Sequence, residues 1–227
     1  TEGTNPTETR ISFNAYDSKG NVTSVSKEND VKLNYIWDYA QTLPIAEATN
    51  ATQSDIAYTS FETDGVGNMS WLNTNAIVTS DAITGEKAFD LSLAASTNQV
   101  YFGRNYLNSA KTYTVSLWDK NGSPCFSGTN NGTSVINGCG SSIWTTGPVV
   151  NGWTYYTTKV TGITLIGFYG SGLADEVRIY PSDAQMTTYT YDPLVGMTSQ
   201  CDVSNKITYY EYDNFGRLSI VRDQDKN

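Results

Sequence analysis

Short runs in which apolar and polar residues alternate, each closed by glycine, asparagine or aspartate, recur along the chain. A period of two sends successive side chains to opposite faces of a strand, so such a run reads as a strand with one buried face. Between residues 56 and 180 the runs fall near Tyr58–Glu62, Trp71–Thr79, Lys87–Ala94, Gln99–Phe102, Thr112–Trp118, Ser141–Trp144, Trp153–Val160, Leu165–Tyr169 and Glu176–Tyr180. No helical period interrupts them. Many short strands separated by turn residues predict an antiparallel β-sandwich or jelly roll over residues 57–181.

The two ends follow a different rule. Tyr16-Asp17 and Trp37-Asp38 stand 21 residues apart, and so do Tyr191-Asp192 and Tyr212-Asp213. In each unit an aromatic-Asp pair ends one strand, and where a glycine follows (Gly20, Gly216) it supplies turn geometry before the next strand returns. The stretches ITYYEYD (207–213) and RLSIV (217–221) keep the strand period on either side of one such turn. A lone hairpin cannot bury its apolar face, so neighbouring hairpins must stack beside it.

Tyr212-Asp213-Asn214-Phe215-Gly216-Arg217-Leu218-Ser219-Ile220-Val221 resembles the YD repeat of the RHS family, written Tyr-Asp-x-x-Gly-Arg-Leu-x-x-Val. Tyr16-Asp17-Ser18-Lys19-Gly20-Asn21-Val22 keeps the glycine but has Asn for Arg. Tyr191-Asp192 carries an extra residue before Gly196, and Trp37-Asp38 lacks both the Gly and the Arg. The resemblance covers residues 10–56 and 182–227. It implies hairpins wound into a spiral shell, and a chain cut from a longer bacterial protein. Blocks 1–56 and 182–227 are thus expected to be repeat hairpins flanking an insert.

The insert has its own resemblance. Phe61-Glu62, the turn Thr84-Gly85-Glu86-Lys87, the strand Tyr113–Trp118, Gly152-Trp153 and Asp175-Glu176-Val177 follow one another as in carbohydrate-binding modules of the family 4/9/22 type, which are galactose-binding-like jelly rolls. This similarity implies a structural calcium, with side-chain oxygens from Glu62 and Asp175 and mainly backbone carbonyls from Thr84 and Lys87. It also implies aromatic platforms for a pyranose, among which Trp118, Trp144, Trp71, Tyr106 and Tyr169 are candidates. In Tyr113–Trp118 the alternation places Trp118 opposite the aliphatic face, where a ligand could lie.

Composition narrows the chemistry. Histidine is absent, which removes Ser-His-Asp and Cys-His nucleophilic systems and His-ligated metals. A net charge of −9 argues against nucleic-acid partners. No apolar run reaches the length of a membrane-spanning helix, and no signal-peptide pattern opens the residues given. Cys125 and Cys139, 14 apart in turn-rich sequence, read as a disulfide in an oxidising compartment or as two buried thiols; Cys201 has no evident partner. The carboxylate pairs Asp175-Glu176, Glu211 with Asp213, and Glu62 with Asp64 are the candidates for a glycosidase pair. Adjacent strand residues face apart, Asp213 is a turn residue, and no activated nucleophile accompanies them, so no enzyme is expected.

The expectation is a non-catalytic glycan-binding module within a large secreted or cell-surface RHS protein, its partners a polysaccharide or cell-surface glycan and the rest of that protein. The alternative is an architectural element of an RHS shell, toxin-enclosing or adhesin-like, with no sugar binding. The first requires two or more solvent-facing rings among the five aromatics. The second requires those rings to be buried or their face to be covered by the hairpins.

Overall fold

A computed structural model of the chain describes residues 10–63, 65–93 and 102–227. Ala94, Gln99 and Asp64, which belong to two expected strands and one candidate carboxylate pair, lie outside the described residues. Among the described residues the protein is all-β, with two antiparallel sheets of eight and ten strands and only single 3-10 turns at Gln53–Asp55, Thr74–Ala76 and Gly140–Ser142. In chain order the strands are β1 (Ile11–Tyr16), β2 (Val22–Lys27), β3 (Lys32–Asp38), β4 (Leu43–Thr49), β5 (Ala57–Thr59), β6 (Trp71–Leu72), β7 (Ile77–Val78), β8 (Ala88–Asp90) and β9 (Phe102–Asn105). There follow β10 (Thr112–Asn130), β11 (Thr133–Cys139), β12 (Thr145–Val150), β13 (Trp153–Thr161), β14 (Leu165–Pro181), β15 (Gln185–Asp192), β16 (Gly196–Cys201), β17 (Ile207–Tyr212) and β18 (Leu218–Arg222).

The eight-stranded sheet runs β1-β2-β3-β4-β15-β16-β17-β18. Strands from the two ends of the chain therefore meet edge to edge, with Thr49 opposite Gln185 and Ala46 opposite Thr188. Three of its hairpins, and the turn after β18, share one loop. Asp17, Asp202, Asp213 and Asp223 each accept, through Oδ1, the backbone N–H groups two and four residues on. Each loop places its fourth residue at positive φ: Gly20, Asn205, Gly216 and Lys226. Asp202 and Asp223 have no tyrosine before them, so the aromatic-Asp pattern reveals only part of this series.

The aromatic that precedes the aspartate has a separate task. Trp37 Nε1 donates to Val22 O, Tyr191 Oη to Pro44 O and Tyr212 Oη to Met197 O, at 2.8, 2.8 and 2.9 Å. In every case the acceptor lies on the neighbouring strand on the β1 side of the sheet. A tryptophan substitutes for tyrosine at position 37 because only a donor at the ring's far end is needed. Tyr191 obeys the rule across the 147 residues that separate it from Pro44. The repeat is continuous in space although it is interrupted in sequence.

The ten-stranded sheet is organised by two long strands, β10 and β14, which pair along their length from Tyr113↔Pro181 to Thr129↔Leu165. The sequence pattern predicts separate strands at Leu165–Tyr169 and Glu176–Tyr180; one strand joins them because β-bulges absorb the glycine-rich middle. A Cβ on Gly122 would lie 2.0 Å from Ser171 O, and one on Gly172 2.6 Å from Gly122 Cα, so glycine is required at this close crossing. Both halves contribute to one sandwich-like core, in which Phe102 stacks on Phe168 at 4.9 Å and meets Phe61 and Phe89 at 5.4 and 5.0 Å. The expected strand at Ser141–Trp144 is instead a 3-10 turn, and Trp71–Thr79 is broken by another.

A disulfide joins Cys125 to Cys139, which stand opposite each other in the β10–β11 ladder, while Cys201 is a buried free thiol. Such a bond is at home in an oxidising location. Cys125→Ser together with Cys139→Ser is expected to lower stability by about 3 kcal/mol, the loop-closure value for a loop of this length. Denaturant titration in oxidising and reducing buffer checks this: the wild type shifts and the double variant does not.

Candidate functional site at the junction of the sheets

The five aromatic candidates do not form a platform. Trp118 is 1% exposed and packs on Tyr155 at 5.4 Å, within a cluster that includes Trp153, Val150 and, from the other sheet, Cys201 and Ile207. Its position opposite the aliphatic face of β10 is as the alternation requires, but that face is roofed by β16 and β17. Trp144 is 4% exposed, donates its indole N–H to Pro124 O and packs edge-on against Phe126. These two expectations are therefore corrected. Trp71 is half-buried with its ring over Gly103, and Tyr169 is half-buried with its hydroxyl donating to Asn137 Oδ1. Only Tyr106, 83% exposed, presents a free ring, and one ring is not a groove.

Polar residues converge at the same junction. The register of β14 against β10 slips between Ser116↔Arg178 and Trp118↔Asp175, which inserts one extra residue at Glu176, where φ is +52°. The bulge cancels the alternation, so Asp175 and Glu176 both reach Thr84 instead of facing apart. The expectation that they point to opposite faces fails here. Their burial, at 0% and 2% exposure, nonetheless removes them from any substrate. Glu176 Oε1 accepts from Tyr58 Oη and Thr84 Oγ1, and Oε2 from Thr188 Oγ1 and Arg178 Nη2.

Arg178, 1% exposed, uses its planar fork to span the two sheets. Besides Glu176 it donates to Thr188 Oγ1 on β15, to the carbonyl oxygens of Cys201 and Asp202, and to Asn205 Oδ1 in the β16–β17 loop. A guanidinium suits this role because five fixed donors can be satisfied at once.

The turn at residues 83–87 closes the junction from the other side. Asp175 Oδ2 accepts from the backbone N–H groups of Ile83 and Thr84, both at 3.0 Å. Glu62 Oε1 accepts from those of Glu86 and Lys87, and Lys87 Nζ reaches Glu62 O. Gly85 has φ +62°, and a Cβ there would meet the Glu62 carboxyl at 2.5 Å. The four residues expected around calcium are thus brought together. Thr84 and Lys87, however, turn N–H donors rather than carbonyl oxygens toward the carboxylates. A cation needing six to eight oxygens is not served by this donor set. Among the described residues no group of three or more carboxylate or thiol side chains is arranged for a metal.

Next to this turn lies a cleft of about 850 Å³ between the sheets, whose lining includes Tyr39, Tyr191 and Tyr209 from the hairpins and Glu62, Glu86 and Lys87 from the other sheet. Tyr209 Oη donates to Ile83 O at 2.8 Å, which anchors the cleft's floor. Burial pushes the Glu62 carboxyl up to about 7, although two backbone donors oppose the rise. Asp175 is pushed well above the usual carboxylate range by burial and by neighbouring Glu176. Asp119, buried on β10 with Oδ2 unpartnered, is raised to about 7 by burial, although the backbone N–H of Gly122 opposes the rise. Comparison of the chain with protein-family models and with curated proteins returns no match.

Two measurements follow from this geometry. Arg178→Met leaves Glu176 buried and unpaired, so it is expected to cost 3–5 kcal/mol, roughly the penalty for a broken buried pair. Adding Glu176→Gln should recover part of that loss, and a double-mutant cycle with no coupling would contradict the assigned network. Carboxyls raised by folding hold protons that the unfolded chain has released between about pH 4 and pH 7. Stability is therefore expected to fall as pH rises through that window. In thermal melts from pH 5 to pH 8, Asp119→Asn should flatten the slope, by the order of 3 kcal/mol if its full shift is expressed.

Proposed function

We propose that this chain is a non-catalytic architectural segment of an RHS/YD-repeat protein, in which a jelly-roll insert buttresses the sheet of repeat hairpins from which it departs. The observation that carries this reading is the burial of the insert's aromatic face, Trp118, Trp153 and Tyr155, beneath Cys201 and Ile207 of the repeat sheet. A glycan platform on that face would require the face to be open. The continuous ladder of β4 with β15, and the Tyr191 bond to Pro44, further support a repeat array that tolerates the insert without a break. The disulfide fits a secreted or cell-surface bacterial setting. The calcium and the sandwich platform are not part of this reading, and neither is a reaction, because Asp175 and Glu176 are sealed from solvent.

A buttress should unfold together with what it supports. Trp118→Ala, which empties the junction, is expected to cost about 3–5 kcal/mol. Hydrogen exchange should show amides of β10, β13, β16 and β17 losing protection together in the variant. Separate unfolding of the two sheets would overturn the reading. So would glycan binding that is lost in Tyr106→Ala while the fold is unchanged.

A further inference from the structure

The face of the eight-stranded sheet turned away from the insert takes part neither in the junction nor in the architectural reading. Alternation divides β3 in two: Asn34, Ile36 and Asp38 are buried, while Leu33, Tyr35 and Trp37 are half-buried on the opposite side. Ile36, Ala46, Ala48 and Met186 pack against Tyr58 and Tyr180 of the insert. The register then defines the outer face. Tyr35 stands opposite Glu47, Glu47 stands opposite Thr187, and Tyr189 and Tyr191 follow two and four residues further along β15.

Glu47 therefore lies between two rows of rings. Tyr35 and Trp37 are 6.3 Å apart on β3, and Tyr189 and Tyr191 are 6.5 Å apart on β15. Neighbouring strands are about 4.8 Å apart, so roughly 10 Å separates the rows, with the Glu47 strand between them. Burial, and after it the Glu47 charge, raises the hydroxyls of Tyr35, Tyr189 and Tyr191 above the usual phenol range. Three rings from two strands thus register one half-buried carboxylate.

No basic side chain answers that charge. Strands β4, β15, β16 and β17 contain no lysine or arginine, and Lys32 of β3 follows the alternation of Asn34 and Ile36. Among the described residues the ion pairs involve Asp55, Asp81, Glu176, Asp213 and Glu211, and none includes Glu47. Ring faces carry the negative side of their quadrupole, so the rings and the carboxylate make a patch of one sign. The group that complements both is a cation.

The surroundings say how that cation arrives. A sheet face is open rather than concave, which suits a protein surface better than a small free molecule. It is also broad. Phe13, 59% exposed, extends it through Val25 and Leu33 on one side, and Tyr210 with Val221, 54% exposed, extends it on the other. Contiguous apolar area of this kind marks a protein interaction surface. An arginine fits its centre, because a planar guanidinium stacks on rings while its fork meets a carboxylate at two points. The point charge of a lysine offers neither.

We propose that this outer face docks a partner polypeptide through an arginine side chain, its guanidinium paired with Glu47 between the rings of Tyr35 and Tyr189. The site belongs to the hairpin sheet alone. It goes beyond the architectural reading and stands or falls independently of it.

The test is NMR of the backbone amides and indole N–H groups of the full chain, titrated at constant ionic strength. The probes are acetyl-Leu-Arg-Leu-amide, its lysine counterpart, N-acetylargininamide and tetramethylammonium. The expected result is saturable shifts around residues 35, 37, 47, 187 and 189 with the arginine peptide, at least threefold tighter than with any other probe. Glu47→Gln should weaken binding at least fivefold. Glu86→Gln, which removes the same charge from the other sheet, should leave it unchanged. Tyr189→Leu should weaken it at least threefold and keeps the test valid if the first variant unfolds. Equal weakening by Glu86→Gln would reduce the effect to attraction by the net charge of −9 and overturn the proposal. So would the absence of saturable shifts, unchanged affinity in the folded Glu47→Gln or Tyr189→Leu variant, or equal affinity for the lysine peptide or tetramethylammonium. Equal affinity for N-acetylargininamide would overturn the polypeptide as occupant.

Discussion

The structure depends on one buried ion pair. Arg178 and Glu176 sit where the ten-stranded sheet meets the eight-stranded one, and between them they engage β5, β15, the β16–β17 loop and the turn at Thr84. A charge removed from water is costly unless every donor and acceptor around it is satisfied. That demand fixes the relative placement of the two sheets more tightly than apolar packing alone, because hydrogen bonds tolerate far less displacement than methyl contacts do. Trp118, Trp153, Cys201 and Ile207 then fill the remaining space.

The pair exists because of the bulge at Glu176. Without the extra residue, Asp175 and Glu176 would alternate, and one of them would share the core face with Ala174 while Val177 left it. With it, Ala174 and Val177 both face the sandwich core while the two acids turn toward the junction. A single inserted residue thus converts a plain sandwich strand into a docking element. The same region carries the raised carboxyl of Glu62 and the cleft, which places the electrostatic tension of the molecule along one seam.

Much of the hairpin sheet was legible in the chain. Alternation marked strands such as ITYYEYD, and the 21-residue spacing of aromatic-Asp pairs marked two turns of each block, of which those at Asp17 and Asp213 share one loop geometry that needs an aspartate acceptor and a residue that accepts positive φ. The loops at Asp202 and Asp223 lack that signal, since they carry the aspartate without the ring, and Asn205 or Lys226 in place of glycine. In the insert, the aromatic and aliphatic faces of β10 were correctly opposed. What covers the aromatic face was not legible, since the covering strands lie about 80 residues further along the chain.

Local chemistry in the sequence therefore determined the class of structure, all-β with antiparallel hairpins, whereas the grouping of Glu62, Thr84, Lys87 and Asp175 was implied only by the resemblance to carbohydrate-binding modules. Burial, partners and accessibility were decided only by tertiary structure. Whether a tryptophan is a platform or a core residue depends on which sheet lies over it, and whether two adjacent acids share a face depends on a bulge that no residue pattern announces. The cleft depends on both sheets at once, since the groups that form it come from strands and loops scattered from residue 39 to residue 226.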